Sequence, residues 1–309
     1  MKKILTSILI SAVSATLSAQ DCDLQIQVVT PQADVCGDDQ KVAELLATRL
    51  VSALNASGVS ASKSFGQFYL SGRFDDIYRE TVPGPPAGVT VHSTLTLMVA
   101  DMFDGKVFAS QSFDLRGVGT SVQRAYINAL SPLNGKNSQL KDFVKSANHR
   151  VINYFDANYR TLLAKAKTAA AMHQYDEALY YSSIIPPCCK GYGEAERLML
   201  NYYQDHINLE ATRLLQAARH AFAISPDAAG AAEAYALIEQ IDPASSSWNA
   251  AVAFADEIKR QTKKEYDFEV HQKYEDAHDA DLRKIDAARQ IGVAFGQGQA
   301  ANTTNILWK

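Results

Sequence analysis

Gly117-Val118-Gly119-Thr120-Ser121 stands directly before a run with helical periodicity. Backbone N–H groups at a helix N-terminus can receive a phosphate in that setting. The stretch has neither the third glycine of a dinucleotide fingerprint nor the Gly-Lys-Ser/Thr of a P-loop. A turn with Thr120 or Ser121 as N-cap accounts for it in full. His271, Glu275 and His278 recur at spacings of four and three, with Asp279 next, so three of them share a helix face and are candidate zinc ligands. They do not form His-Glu-x-x-His, and an exposed polar helix face gives the same pattern. Asp75-Asp76 and the pair Asp101 and Asp104 are carboxylates in strand or turn contexts, which solubility and turn formation explain. No Gly-x-Ser-x-Gly elbow is present, and the seven histidines and four cysteines suggest no nucleophile–base pair. The expectation is a non-enzyme without catalytic residues, metal or cofactor.

The cysteines point to the compartment. Met1-Lys2-Lys3, the apolar run Ile4 to Leu17 and Ser18-Ala19-Gln20 read as a secretory signal peptide, residues 1–19, cleaved near Ala19. The run is short for a stable membrane span, and nothing later reaches that length. Export makes disulfides permissible, and Cys22 with Cys36 flank the first strand at a spacing that could staple the new N-terminus. Cys188-Cys189 follow Pro186-Pro187. A vicinal disulfide is strained, so each is free, buried as a small apolar side chain, or joined to a different partner. The formal charge of −4 becomes −6 once Lys2 and Lys3 are removed, which excludes nucleic acid as a default partner.

The elements that must position any site fall into two groups. In residues 20–135, Leu24 to Thr30 reads as a strand, and Asp38 or Asp39 caps a helix to about Ala56. Phe65 to Tyr78 reads as a strand with bends at Gly66 and Gly72, followed by a Pro/Gly loop from Val82 to Gly88. Val91 to Val99 and Val107 to Leu115 alternate as two strands about Asp104-Gly105, a strong hairpin signal. A helix carrying Val122, Ala125, Tyr126, Ala129 and Leu130 closes the unit. The expected fold class is α+β: an antiparallel-rich sheet with helices on one face, followed by an all-α domain.

That all-α domain, residues 136–296, is rich in Ala, Leu, Glu, Lys and Gln, with breakers only at Pro186-Pro187, Pro226 and Pro243. Tyr175 to Pro187 aligns with Ala231 to Pro243 at an offset of 56 residues. Each block leads through an aromatic into a second amphipathic stretch, Tyr192 to Tyr203 and Trp248 to Lys259. A long charged helix is expected from about Trp248 to Phe295, whose apolar end (Leu282, Ile285, Ile291, Val293, Phe295) needs a partner or the protein's own core. Residues 297–309 read as a loose tail carrying Ile306-Leu307-Trp308. Ala166, Tyr175, Ala178 and Pro186 or Pro187 match the order of a tetratricopeptide helix pair, so the region resembles such repeats without their 34-residue period.

Leu95-Thr96-Leu97, Asp101, Asp104-Gly105-Lys106-Val107, Gly117-x-Gly119 and Ala125-Tyr126-x-x-Ala129 follow one another in the first unit. In that order they resemble the N-terminal domains of exported assembly factors of the CsgG, TolB and FlgT kind. The resemblance implies a non-enzymatic envelope component that assembles with others. The functional expectation is therefore a periplasmic or secreted protein that binds a protein partner and can self-associate. Helix-pair grooves would do the binding, with Tyr180, Tyr181, Tyr202, Tyr203 and Tyr235 as candidate partner-binding residues. The alternatives are a glycan- or small-molecule-binding envelope protein, or a hydrolase without a recognisable motif.

Overall fold

The structure is a computed structural model that describes residues 24–31, 39–62, 66–262 and 277–300. Its first part is β1 (Ile26–Val28), α1 (Gln40–Ala56), β2 (Ala61–Ser62), β3 (Phe68–Val82), β4 (Gly88–Asp101), β5 (Val107–Gly119) and α2 (Val122–Ala129). The five strands lie in the order β2-β1-β3-β4-β5. β1 runs parallel to β2 and β3, while β3, β4 and β5 form an antiparallel meander. The mixed α+β class and the antiparallel-rich sheet agree with the sequence pattern.

One face of the sheet is apolar because odd positions of β4 and β5 carry the large side chains. Val91, Leu95, Leu97, Phe113 and Leu115 are buried, as period-two alternation requires. α1 covers that face with Val42, Leu46, Leu50 and Leu54, spaced by four along one helical stripe. Asp39 caps α1 by accepting from the N–H groups of Lys41 and Val42, and Ser121 caps α2 by accepting from Arg124. Gly72 departs from its expected role as a bend. It pairs in register with Leu97, and a Cβ there would come within 2.8 Å of the Leu97 side chain, beneath Leu46. The bulge in β3 instead lies between Asp76 and Tyr78. β3 also runs past Tyr78 to Val82, where its side chains are exposed, because β4 supplies a hydrogen-bonding partner that no local propensity reveals.

Asp76 is more than a solubilising carboxylate. The hydroxyls of Tyr126 in α2 and Ser93 in β4 both donate to it, and Arg79 lies 3.7 Å away. Burial, then the hydrogen bond to Asp76, pushes the Tyr126 phenol above its ordinary pKa, so it stays a donor. Tyr126→Phe should therefore cost about 1–3 kcal/mol in a denaturant titration, the range for losing a hydrogen bond to a charged group. A change below about 0.5 kcal/mol would show that Asp76 is satisfied without it.

The second part is α3 (Ser138–Ala171), α4 (Tyr175–Ser183), α5 (Tyr192–Ile224), α6 (Ala228–Ile238), α7 (Trp248–Thr262) and α8 (Ala277–Ala300). Successive helices pack on one another from α3 to α7. The 56-residue offset seen in the sequence recurs in space. Buried Ala178, Leu179, Ser182 and Ile185 correspond to buried Ala234, Tyr235, Ile238 and Ile241. The turns before α5 and α7 share their backbone bonds: Cys189 N–H to Pro186 C=O and Tyr192 N–H to Cys189 C=O match Ser245 N–H to Asp242 C=O and Trp248 N–H to Ser245 C=O. Small Ala178 and Ala234 are buried where α4 and α6 pack against their neighbouring helices.

Residues 135 and 136 mark a change of secondary structure rather than a break in the core. One apolar cluster runs from Phe68 and Phe108 of the sheet into Phe155 of α3 and on to Ala195 of α5. Phe68 meets Phe108 and Phe155 edge-on, with ring centroids 5.8 Å apart in each case. The helix expected over Trp248 to Phe295 is described as α7 and α8, with 263–276 outside the described residues. Its apolar end finds the protein's own core: α8 lies along α4 and α5 and buries Ile285 and Ala288. Gly292 allows this approach, since a Cβ there would fall 2.5 Å from Ser183 Oγ and 3.0 Å from the Leu179 backbone. Among the described residues, no helix is long and apolar enough to cross a membrane.

Candidate functional site

The β4–β5 connection is a five-residue loop rather than a two-residue turn. Asp101 Oδ1 accepts from Phe103 N–H at 2.7 Å and from Asp104 N–H at 3.4 Å, and Asp104 Oδ1 accepts from Lys106 N–H at 2.8 Å. Side-chain carboxylates here replace backbone partners, as in Asx turns. Gly105, at φ 68°, takes the left-handed residue that the loop needs. This geometry holds Phe103 and Asp104 over the end of the sheet that meets the helices.

Three helices complete a cleft of about 590 Å³ around that loop. α3 brings Tyr154, Phe155, Leu162 and Lys165, and α4 brings Glu177, Tyr180, Tyr181 and Ile184. Phe155, Leu162 and Lys165 stand seven and three apart, and Glu177, Tyr181 and Ile184 four and three apart, spacings that align side chains on one helix face, with Tyr154 and Tyr180 beside them. α8 adds Phe295. Tyr180 is central: its ring lies 5.8 Å from Phe103, 5.2 Å from Tyr181 and 5.7 Å from Phe295. The next residue of α8, Gly296, allows the closure, because a Cβ there would come within 2.7 Å of the Tyr180 ring.

The electrostatics of the cleft follow from burial. Burial, and then the nearby Asp104 charge, raise the Asp101 carboxyl to about 6 against the lowering effect of hydrogen bonds from Gln67, Phe103 N–H and Asp104 N–H. Burial and then the same two aspartates push the Tyr180 phenol above its ordinary range. Tyr154 is raised in the same way, and Tyr181 is raised by burial and then by Glu177. The three phenols therefore stay protonated and act as hydrogen-bond donors. Two ring faces already attract ammonium groups: Lys106 Nζ sits 4.3 Å from the Tyr154 centroid, and Lys165 Nζ 5.3 Å from that of Tyr181. The lining offers hydroxyl donors, carboxylate acceptors and aromatic faces, and contains no Ser, Cys or His. Such a set can hydrogen-bond a ligand and stack against it.

Of the five tyrosines read from the sequence as partner-binding, the structure brings Tyr180 and Tyr181 together in this cleft. It places the others in packing roles. Tyr202 is buried against Ala166 and Ala178 in a small apolar cluster, with Tyr203 partly buried beside it. Tyr235 is buried and donates its hydroxyl to Ala255 C=O at 2.9 Å. Gly117 and Gly119 lie under α2 instead of opening a phosphate cradle. Cys22, Cys36, His271 and Glu275, and the side chains of His278 and Asp279, lie outside the described residues. Cys188 is disulfide-bonded and Cys189 is a buried free thiol, so the adjacent pair forms no bond with each other.

Burial, and then the Asp156 charge, pushes the Cys189 thiol up to about 12. The thiolate is the reactive species. Iodoacetamide at pH 8 should alkylate Cys189 roughly a thousandfold slower than an exposed cysteine and fully once denaturant is added. Rapid alkylation of the native chain would contradict this placement.

Sequence reasoning noted Asp101 and Asp104 as turn carboxylates and missed Phe103, Tyr154, Lys165, Glu177 and Phe295 as members of one site. No protein-family model, curated protein or solved structure matches the chain.

Proposed function

We propose that the chain is an exported, non-enzymatic component of the cell envelope that holds a segment of a protein partner in the cleft between the β4–β5 loop and α3, α4 and α8. The observation that carries this reading is the lining itself. Asp101, Asp104 and Glu177 stand among Phe103, Tyr154, Tyr180, Tyr181 and Phe295, with Lys165 as the single basic residue of the lining. Carboxylates beside aromatic faces favour a desolvated cation, so the partner segment presents a lysine or arginine side chain. The export part of the reading rests on the N-terminal residues, with their basic start and apolar run. The interaction part is supported by the helix pairs that recur at 56 residues and by the likeness of their sequence to tetratricopeptide repeats.

The test is capture from an envelope extract with the chain from Gln20 to Lys309 as bait, beside the same bait carrying Asp104→Lys and Glu177→Lys. Neither residue belongs to the buried core, so the double variant should fold as the parent does. The expected result is a defined partner held by the parent and lost roughly tenfold or more from the variant, in the range for removing charges from an interface. A partner retained equally by both baits would move the binding surface elsewhere. Saturable binding of a glycan or small molecule at the cleft, with no protein captured, would favour the alternative reading.

A further inference from the structure

The cleft carries its negative charge at two separate ends. Asp101 and Asp104 stand on the β4–β5 loop, and their charges act on the Tyr154 and Tyr180 phenols. Glu177 stands on α4, and its charge acts on the Tyr181 phenol. Among the described residues, none of these three carboxylates forms an ion pair. An adjoining pocket of about 260 Å³, which shares Glu177 and Phe295, shows the contrast. Its other acids are matched within the chain: Asp176 meets His206 at 3.3 Å, and Glu210 meets Arg213 at 2.7 Å. In the cleft, the chain's own ammonium groups lie over rings and not on carboxylates. Lys106 covers Tyr154 at one end and Lys165 covers Tyr181 at the other, and both lysines are exposed. These two rings mark where a cation is held.

The distance between the ends follows from the helix and the rings. Tyr154 and Lys165 stand eleven residues apart on α3, a rise of about 16 Å. Between the ends, the Tyr180 ring lies 5.8 Å from Phe103 and 5.2 Å from Tyr181, a path of about 11 Å. The two cation positions are therefore on the order of 11–16 Å apart. Resting on the cation-binding reading of the cleft, we infer that its ligand is a linear dication. One positive group sits at Asp101 and Asp104, the other sits at Glu177, and the apolar chain that joins them lies along the Tyr180 ring. A single ammonium would engage one end only. A dication that has bound at one end meets the other at high effective concentration, so the second charge multiplies affinity. Two sources carry this chemistry: a free oligoamine, and two lysine side chains four residues apart in an extended segment, about 13 Å at strand rise.

The test is calorimetric titration of the full chain at neutral pH with diaminopropane, diaminohexane, diaminooctane, diaminodecane and diaminododecane, beside the matching monoamines. Extended diaminooctane and diaminodecane set their nitrogens about 11 and 14 Å apart, at about 1.25 Å of advance per bond. These two should bind tightest, roughly tenfold or more above octylamine and decylamine. The advantage should fall to about threefold or less when either end is neutralised, by Asp101→Asn with Asp104→Asn or by Glu177→Gln. Glu177→Gln changes a half-buried side chain outside the core, so it tests the inference even if the double variant does not fold. A peptide with lysines four residues apart that binds tighter than any diamine would assign the dication to a partner segment. A diamine that binds tighter than the peptide would assign it to a free oligoamine. The inference alone is overturned if the monoamines bind as tightly as the diamines, if affinity ignores chain length, or if the advantage survives Glu177→Gln. Absence of binding by every amine and peptide would overturn it together with the cation-binding reading.

Discussion

Gly117→Ala is expected to destabilise the chain by about 3 kcal/mol, at the upper end for overpacking and a large share of a typical domain's stability. A Cβ at Gly117 would lie 2.0 Å from Ala125 O, 2.6 Å from Ala129 N and 2.9 Å from Ala129 Cβ. The first two are backbone atoms of α2, so no rotamer change relieves the clash and the helix must lift from the strand. Lifting α2 also draws the Tyr126 hydroxyl from Asp76 and opens the layer of Ala125, Ala129 and Leu130, all buried. Gly119→Ala should behave alike, with Ala125 N 2.5 Å away. Gly193→Ala is the internal control. It lies within α5 with nothing within 4 Å of a Cβ, so it should be neutral or stabilise by about 0.5–1 kcal/mol. Chemical denaturation of the three variants decides the matter. A Gly117→Ala chain within about 1 kcal/mol of the parent would mean that α2 does not ride this close to β5, and would return the Gly-Val-Gly stretch to the search for an anion site.

The elements written in local patterns were legible. Alternation in β4 and β5, the helical stripe of α1, the caps Asp39 and Ser121 and the breaks at Pro186 and Pro243 all depend on neighbours within a few residues, and all appear near their expected positions. The extension of β3 from Tyr78 to Val82 was not legible, because those residues are held by pairing with Gly88 to His92, not by their own propensity. The role of Gly72 was misread, and the close approach of α2 at Gly117 went unseen, for a related reason. A glycine placed by close approach of another element looks, in sequence, the same as one placed by a bend or a phosphate. The path of α8 was half legible: its apolar residues announced a need for burial, but not that α4 would provide it.

The cleft was nearly invisible for a different reason. Its lining comes from a loop, two helices and a third helix more than a hundred residues away. Each contribution taken alone has an ordinary explanation. Asp101 and Asp104 organise a turn, Tyr180 and Tyr181 belong to an amphipathic helix, and Phe295 belongs to an apolar helix end. Only packing turns these separate roles into one set of donors, acceptors and ring faces. The 56-residue repeat lay in the opposite situation, since its two copies use the same residues at the same spacing and so reveal each other. The repeat builds the scaffold, while the cleft forms where the first copy meets the sheet, a place with no counterpart in the second copy. Tyr180 and Tyr181 of the first copy border that open space, and their counterparts in the second are Ala236 and Leu237, while Tyr235, the counterpart of buried Leu179, gives its hydroxyl to the Ala255 carbonyl.

Asp101→Asn should remove a pH dependence that the parent chain shows between about pH 4 and pH 6. The Asp101 carboxyl rises from the ordinary carboxylate value to about 6 in the folded chain. Between those values the folded state holds a proton that the unfolded state has released. Stability from this group is therefore fully present below about pH 4 and is lost as pH rises through about 6. The rise from about 4 to about 6 corresponds to about 3 kcal/mol between the two limits. Asparagine cannot ionise and keeps an oxygen to accept from Phe103 and Asp104, so the variant should gain on the parent as pH rises. The difference in unfolding free energy between variant and parent should grow by about 2–3 kcal/mol from pH 4 to pH 7. Taking the difference cancels the other carboxylates, such as Glu194 and Asp227, whose pKa values are lowered and whose own contributions run the opposite way. The same group links stability to the proposed binding. A cation in the cleft favours the charged Asp101, so partner affinity should fall as pH drops below about 6 in the parent and vary less in the variant. Denaturant titrations across that range, with binding measured on the same samples, test both halves. A flat difference in stability would mean that Asp101 keeps an ordinary pKa, and the buried carboxylate would no longer support a cation-binding cleft.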